Sequence, residues 1–286
     1  MTRNRTLALD EPRFTAAQCD ALFEAVLIDD IVDVHTELPD RITLDFDQAL
    51  LVDCYRLCRQ WWKDGVHRGA MVALIDTLKR DRDLPEAERL GFKYARAKFK
   101  HLRFACALFR DDHRYPRVLD WLTVALGHLQ DGFKNKQRGK VYRDALLCRL
   151  LLSDPVYGVI QREVDGFTPA TPNQFRAYVR AQVEQLRSVL ARNTITGAQF
   201  HATRKIISRQ SAFYVTVLTI TDGEEAYKMS RALAAINGLM GSLHDVLIEQ
   251  RVAGTFDYHR APMALPDDIR SRLAELVDRY DISALS

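Results

Sequence analysis

Residues 89–110 read RLGFKYARAKFKHLRFACALFR, and this stretch decides the class of the fold. Phe92, Ala95, Phe99, Leu102, Cys106 and Phe109 recur at steps of three and four, the spacing that gathers side chains on one face of an α-helix. Pro85 stands just upstream, where the first turn of a helix tolerates a missing N–H, so a helix is predicted over 85–110. Lys93, Arg96, Lys100, Arg103 and Arg110 keep the same rhythm one residue later, which turns them by about 100° around the axis. They flank the apolar stripe, so their methylenes can pack while their charged heads reach outward. Arg89, Lys98 and His101 add to the basic character, and the stretch holds no Asp or Glu.

A second stretch, residues 185–221, has the same property: Arg187, Arg192, His201, Arg204, Lys205 and Arg209 occur without an acid. Acids are otherwise plentiful, at 38 Asp+Glu against 41 Lys+Arg in 286 residues. Solvated helices intersperse the two signs because opposite pairs at i,i+4 stabilise and like pairs cost. Two acid-free basic helices therefore point to a polyanion as the missing negative partner. The net charge of +3 averages over an uneven chain, since residues 1–88 sum to −7 and residues 89–286 to +10.

Working outward, the pattern is helical nearly throughout. Helices are expected over Phe14–Leu27, Asp45–Trp62, Val66–Lys79 and from Pro116 to Asp131. Gly132 to Arg143 reads as a polar connection rich in Lys and Arg, followed by a helix from Val141 to Leu152 that Asp154-Pro155 breaks. Thr15-x-x-Gln18 at the start of the first of these helices has the spacing of a capping box, and Thr171-Pro-Asn-Gln174, Thr196-Gly-Ala-Gln199, Asp222-Gly-Glu-Glu225 and Pro266 start further helices. Phe213 to Thr221 is β-like in composition, but no other segment could pair with it, and helix is preferred. The expected class is all-α.

No apolar run approaches the ~18–20 residues that span a bilayer, and residues 1–12 lack the apolar core of a signal peptide. A cytoplasmic protein with no membrane partner is expected. The five cysteines form no CxxC pair. Cys54 and Cys58, one turn apart, are read as small buried apolar residues of a reducing compartment.

The chain also repeats itself. A basic helix (Phe92 to Phe109) turns into an apolar helix ending Leu126-Gly-His-Leu-Gln-Asp131; a second (Phe200 to Leu218) turns into one ending Met240-Gly-Ser-Leu-His-Asp245. Phe92/Phe200, Arg96/Arg204 and His101/Arg209 stand at equal offsets. Two pseudo-symmetric antiparallel helical bundles are expected, with repeat units at about 85–135 and 194–250. Their basic stripes would share one central groove. Residues 1–84 read as an acidic helical extension and residues 85–286 as the double bundle.

These motifs resemble the CHAD domain, a conserved-histidine α-helical domain. Lys100-His-Leu-Arg103 with the aliphatic run to Phe109, Arg96, His201-Ala-Thr-Arg204 and Arg209 resemble the family's His-x-x-Arg and Arg-Arg-Leu-Arg segments. Leu126 to Asp131 and Leu243-His-Asp-Val-Leu247 resemble its Leu-Gly-x-Leu-x-Asp and Leu-x-Asp-x-Leu segments. Lys93 departs from the family's histidine, and Ser208 and Ser211 stand where arginines are expected, so the second half is degenerate. The resemblance implies a binding protein for inorganic polyphosphate, not an established enzyme, with a place at polyphosphate granules. The residues expected to bind are Arg89, Lys93, Arg96, Lys100, His101, Arg103, His201, Arg204, Lys205 and Arg209. Cations spaced ~5–6 Å along a helix suit successive phosphates, with Arg able to bind phosphate oxygens bidentately. No cofactor is expected.

Two other readings stand beside this one. Asp29-Asp-Ile-Val-Asp33 reads as the DDxxD motif of helical isoprenoid synthases, where carboxylates one turn apart hold Mg²⁺ on a pyrophosphate. Single-stranded nucleic acid is the other, with Phe92, Tyr94, Phe104 and Phe213 as stacking residues. His128-x-x-Asp131 and His244-Asp245 read as helix C-terminal caps.

Overall fold

The computed structural model describes residues 9–280 apart from 12 and 34. They form eleven α-helices: α1 (Ala16–Leu27), α2 (Gln48–Gly65), α3 (Arg68–Asp81), α4 (Glu86–Phe109), α5 (Arg117–Lys134), α6 (Arg138–Leu151), α7 (Asp154–Asp165), α8 (Pro172–Leu190), α9 (Gly197–Thr221), α10 (Glu224–Val252) and α11 (Asp267–Arg279). The strand content is one antiparallel pair of two-residue strands, β1 (Ile195–Thr196) and β2 (Pro262–Met263). The fold is all-α.

The chain divides into two compact units, both discontinuous in sequence. Unit 1 is residues 52–169 with the residues up to Thr15; unit 2 is residues 16–51 with residues 170–286. The boundary expected near residue 84 therefore falls inside unit 1, between α3 and α4, and the N-terminal 84 residues contribute to both units.

Unit 1 has an aromatic core. The Tyr55 ring stacks on Phe167 at 3.7 Å and its hydroxyl donates to the Val164 carbonyl at 2.7 Å. Phe92 meets Phe133 edge-on at 5.4 Å, and Trp62 meets Phe99 at 6.0 Å. Arg59 is 5% exposed, and its guanidinium binds Asp165 and Asp10. Its hydrogen bond, and that of Lys63, lower the Asp10 pKa to about 2.

Unit 2 is built around α9, which α10 packs along most of its length. Phe46, Phe175 and Phe213 form a cluster with ring centroids 4.9–6.1 Å apart. α1 lies on α9, and α11 packs against α8 and α10. The capping boxes at Thr171–Gln174 and Thr196–Gln199 both form, each satisfying two orphan amides at a helix start.

Three local expectations are resolved by the packing. Residues 213–221 are the end of α9, a helix buried almost all round from Ile206 to Val217. The threonines survive there because Thr216, Thr219 and Thr221 donate to the carbonyls of Ala212, Val215 and Val217, one turn back. Asp154-Pro155 does not merely end a helix; it opens α7, which sequence reading missed, with Pro155 in the first turn. The connection read over 132–143 shrinks to residues 135–137, because α5 runs on to Lys134 and α6 begins at Arg138.

Cys54, Cys58, Cys106 and Cys148 are buried, and burial pushes the thiols of Cys106 and Cys148 up to about 12. They pack as small apolar groups. Among the described residues no helix is long and apolar enough to cross a membrane.

Candidate polyanion-binding surface

In unit 1 the acid-free tract of α4 draws acids from other elements. Arg89 pairs with Asp83 at 2.6 Å and donates to the Leu84 carbonyl, bracing the turn before the helix. Arg103 is held by Asp120 of α5 at 2.8 Å, with its guanidinium 4.6 Å from the Tyr115 ring centroid. Arg110 reaches Asp112 and the Glu163 carbonyl, and Lys98 donates to the Gly65 carbonyl at 3.0 Å.

His101 corrects the sequence expectation. It is 4% exposed, edge-on to Trp61 at 5.5 Å. Desolvation lowers its pKa to about 3, with the Lys100 charge adding to the effect. A neutral, enclosed imidazole cannot serve as a cation on a surface, so His101 belongs to the core. Its place one step after Lys100 looked basic in sequence because the register of burial was not visible.

Of the other α4 cations, Lys93 is exposed, and Arg96 and Lys100 are partly buried. Arg96 donates from Nη1 to Gln130 Oε1 of α5 at 3.2 Å. Its guanidinium rests on Gly127, where a Cβ would stand 3.0 Å from Nη2 and 3.6 Å from Cζ.

Unit 2 contains a similar arrangement. Arg204 of α9 rests on Gly241 of α10, where a Cβ would stand 3.0 Å from Nη2 and 3.6 Å from Cζ. One turn earlier the His201 ring stacks on His244 at 4.6 Å and 18°. The His244 Nδ1 lies 3.2 Å from the Tyr258 hydroxyl. Lys205 is exposed and Arg209 partly buried. Gly127 and Gly241 were not among the expected site residues. Their signal was present in the matched segments Leu126-Gly-His-Leu and Met240-Gly-Ser-Leu, whose glycines they are.

The stripe of α9 stops after Arg204. Ser208 is buried and donates to Asn237 Oδ1 at 2.8 Å, while Asn237 Nδ2 donates to the Asp29 carbonyl at 2.9 Å. Ser211 is 0% exposed. The segment after α1 thus docks on α10 beside Ser208, and Gly238 lets the Asp30 carbonyl approach where any Cβ would collide. Serines occupy these positions because the space that a long cation needs is taken by the chain itself.

The same segment carries the carboxylate motif. Asp29, Asp30 and Asp33 lie in the connection after α1, not on a helix, so their carboxylates are not stacked one turn apart. Asp33 accepts from the His35 amide at 2.9 Å and faces Arg231 at 3.8 Å. Among the described residues no group of three or more His, Cys, Asp or Glu side chains is placed to hold a metal ion. Three of the aromatics read as stacking residues, Phe92, Phe104 and Phe213, are buried at 0–3% exposure. Neither His128 nor His244 ends its helix, since α5 continues to Lys134 and α10 to Val252, so the capping reading fails.

A scan against protein-family models and searches among curated proteins and solved structures find no match for this chain.

Proposed function

We propose that this chain is a polyanion-binding protein of the CHAD-like kind and that its ligand is inorganic polyphosphate. The observation that carries the reading is the pair Arg96 on Gly127 and Arg204 on Gly241. In each case an arginine of an acid-free tract is held against a glycine of the next helix, with exposed lysines beside it at Lys93 and Lys205. A guanidinium held in place loses less freedom on binding, and its fork suits phosphate oxygens. Each unit carries one such constellation, and each is read as a phosphate-binding surface in its own right.

The ligand-facing set in this reading is Lys93, Arg96, Lys100, His201, Arg204, Lys205 and Arg209. Arg89 and Arg103 support the helix through Asp83 and Asp120. Polyphosphate offers about one charge per internal phosphate and no base edges, so a row of cations ~5–6 Å apart is sufficient recognition. The expected setting is the cytoplasm, at polyphosphate granules.

The test is a melting experiment on the full chain with long-chain polyphosphate at low salt. A ligand that binds only the folded state raises the melting temperature, and counterion release weakens the effect steeply as salt rises. The double change Arg96→Glu with Arg204→Glu is expected to abolish the rise. A rise that survives both changes overturns the reading.

A further inference from the structure

The tract Lys134 to Leu152 is not used by the polyphosphate surface, and it is rich in cations and in exposed apolar side chains. From residue 132 to residue 152 there are six cations, Lys134, Lys136, Arg138, Lys140, Arg143 and Arg149, and one acid, Asp144, which is 5% exposed. Asp144 takes a 3.3 Å contact from Arg143, and Asp76 of α3 takes one of 3.4 Å from Arg149. The same helix, α6, leaves four large apolar side chains in solvent: Tyr142 (43% exposed), Leu146 (43%), Leu147 (47%) and Leu150 (61%). Its other face, Val141, Ala145 and Cys148, is fully buried in unit 1.

Around the α6 axis, at 100° per residue, Tyr142, Leu146, Leu150 and Leu147 span an arc of roughly 140°. Arg138 and Arg149 border the arc on one side and Lys140 on the other, while Arg143 lies within it near the N-terminal end. Arg82, just after α3, adds a seventh cation, its guanidinium 4.3 Å from the Tyr142 ring centroid. α5 runs beside α6 as the other arm of a short hairpin, with Gly132 against Val141. In that register the exposed Trp121 and Val124 stand level with the C-terminal end of α6.

We propose that this face of α6 docks on an anionic lipid surface, with Leu146, Leu147, Leu150 and Tyr142 entering the interface and the flanking cations meeting acidic headgroups. The lateral pattern is that of a helix lying in a bilayer interface: a wide apolar arc with basic edges. Here the helix is anchored to a folded unit by its buried side. A polyphosphate chain accounts for the cations but not for the leucines, which it would leave in water. A groove-binding partner helix needs a concavity, whereas Leu150, at 61%, is the most exposed of the large apolar side chains of α6. A second copy of the chain would bring six more cations against the first six, with no exposed acid in the tract to offset them. The mode is surface attachment, with no span across the bilayer.

Flotation of the full chain with vesicles tests this. Binding is expected to phosphatidylcholine vesicles containing roughly 30% phosphatidylglycerol at low salt and to be absent with phosphatidylcholine alone, since anionic headgroups supply the attraction. The double change Leu146→Ser with Leu150→Ser, at solvent-exposed positions, should lower the bound fraction at least tenfold and leave the polyphosphate melting shift unchanged. Lys136→Glu with Arg138→Glu should do likewise on anionic vesicles. Vesicle binding that ignores the leucine changes is charge attraction alone and overturns the proposal, as does equal binding to neutral vesicles. A dimer in sedimentation that Leu146→Ser with Leu150→Ser dissolves would assign the face to a second copy and overturn it too.

Discussion

The guanidinium of Arg204 rests against Gly241, near enough that a Cβ on that glycine would stand 3.0 Å from Nη2. Arg96 and Gly127 repeat the relationship at the same distance. Both glycines lie inside helices, α10 and α5, where glycine is a poor helix former.

Gly→Ala at such a position separates stability from binding. In a helix interior the change is worth up to about 1 kcal/mol in favour of folding. The added methyl pushes the tip of a flexible arginine, not backbone, so the fold should absorb it. Gly127→Ala and Gly241→Ala are therefore expected to unfold at equal or slightly higher urea. Each should weaken polyphosphate binding by about tenfold, near 1.4 kcal/mol. Binding unchanged in both variants, measured by titration at fixed salt, would show that the seated arginines do not contact the ligand.

Ser208 and Ser211 supply a second test. On the sequence resemblance alone, Ser208→Arg would restore an expected arginine. The structure argues the reverse, since Ser208 is buried against Asn237 and the Asp29 segment. A guanidinium there would be desolvated without an acid and would break the Ser208–Asn237–Asp29 chain. A loss of at least about 2–4 kcal/mol in urea unfolding is expected, with no gain in polyphosphate affinity.

Much of this was legible in the sequence and some was not, for identifiable reasons. The apolar stripe of α4 and the helix starts at Thr171 and Thr196 follow from spacing alone, because helix geometry fixes which residues share a face. The repeated Gly-x-Leu-x-Asp segments also marked the glycines that seat Arg96 and Arg204. What spacing cannot give is the partner across a tertiary contact. Asp120 reaching Arg103, and the segment after α1 covering Ser208, depend on how distant helices meet. The edge of a buried arc is equally invisible, which is why His101 passed for a surface base. α7 was missed because Asp154-Pro155 marks a helix start as readily as a stop.

His101 gives a pH dependence with a definite sign. Its folded pKa is lowered from 6.5 to about 3, chiefly by desolvation. Between those values the unfolded chain takes up a proton that the folded chain refuses. The stability associated with this residue is therefore complete above pH 6.5 and is lost as the pH falls toward 3, at up to about 1.4 kcal/mol per pH unit. In His101→Leu that contribution to the slope disappears. Urea midpoints, each taken relative to the same protein's value at pH 7, should diverge as the pH falls to about 4.5, the wild type losing more than the variant. Parallel profiles for the two proteins would mean that the imidazole is solvated.

The segment Asp29–Asp33 separates main chain from side chain. The close contacts of α10 there are with the Asp29 carbonyl, through Asn237, and the Asp30 carbonyl, through the space above Gly238, while Arg231 faces the Asp33 carboxylate at a longer 3.8 Å. The Asp33 carboxylate is half-exposed at the surface, accepting from the neighbouring His35 amide. Asp29→Asn and Asp33→Asn should accordingly change stability by less than about 0.5 kcal/mol, and neither should alter a melting shift produced by polyphosphate. Asn237→Ala removes both ends of a buried chain of hydrogen bonds, orphaning the Ser208 hydroxyl and the Asp29 carbonyl. Its expected cost is about 1–3 kcal/mol. The decisive comparison is pyrophosphate with Mg²⁺: stabilisation by that pair which vanishes in Asp29→Asn or Asp33→Asn would make the carboxylates a metal site and move the chemistry of this chain away from a cationic surface.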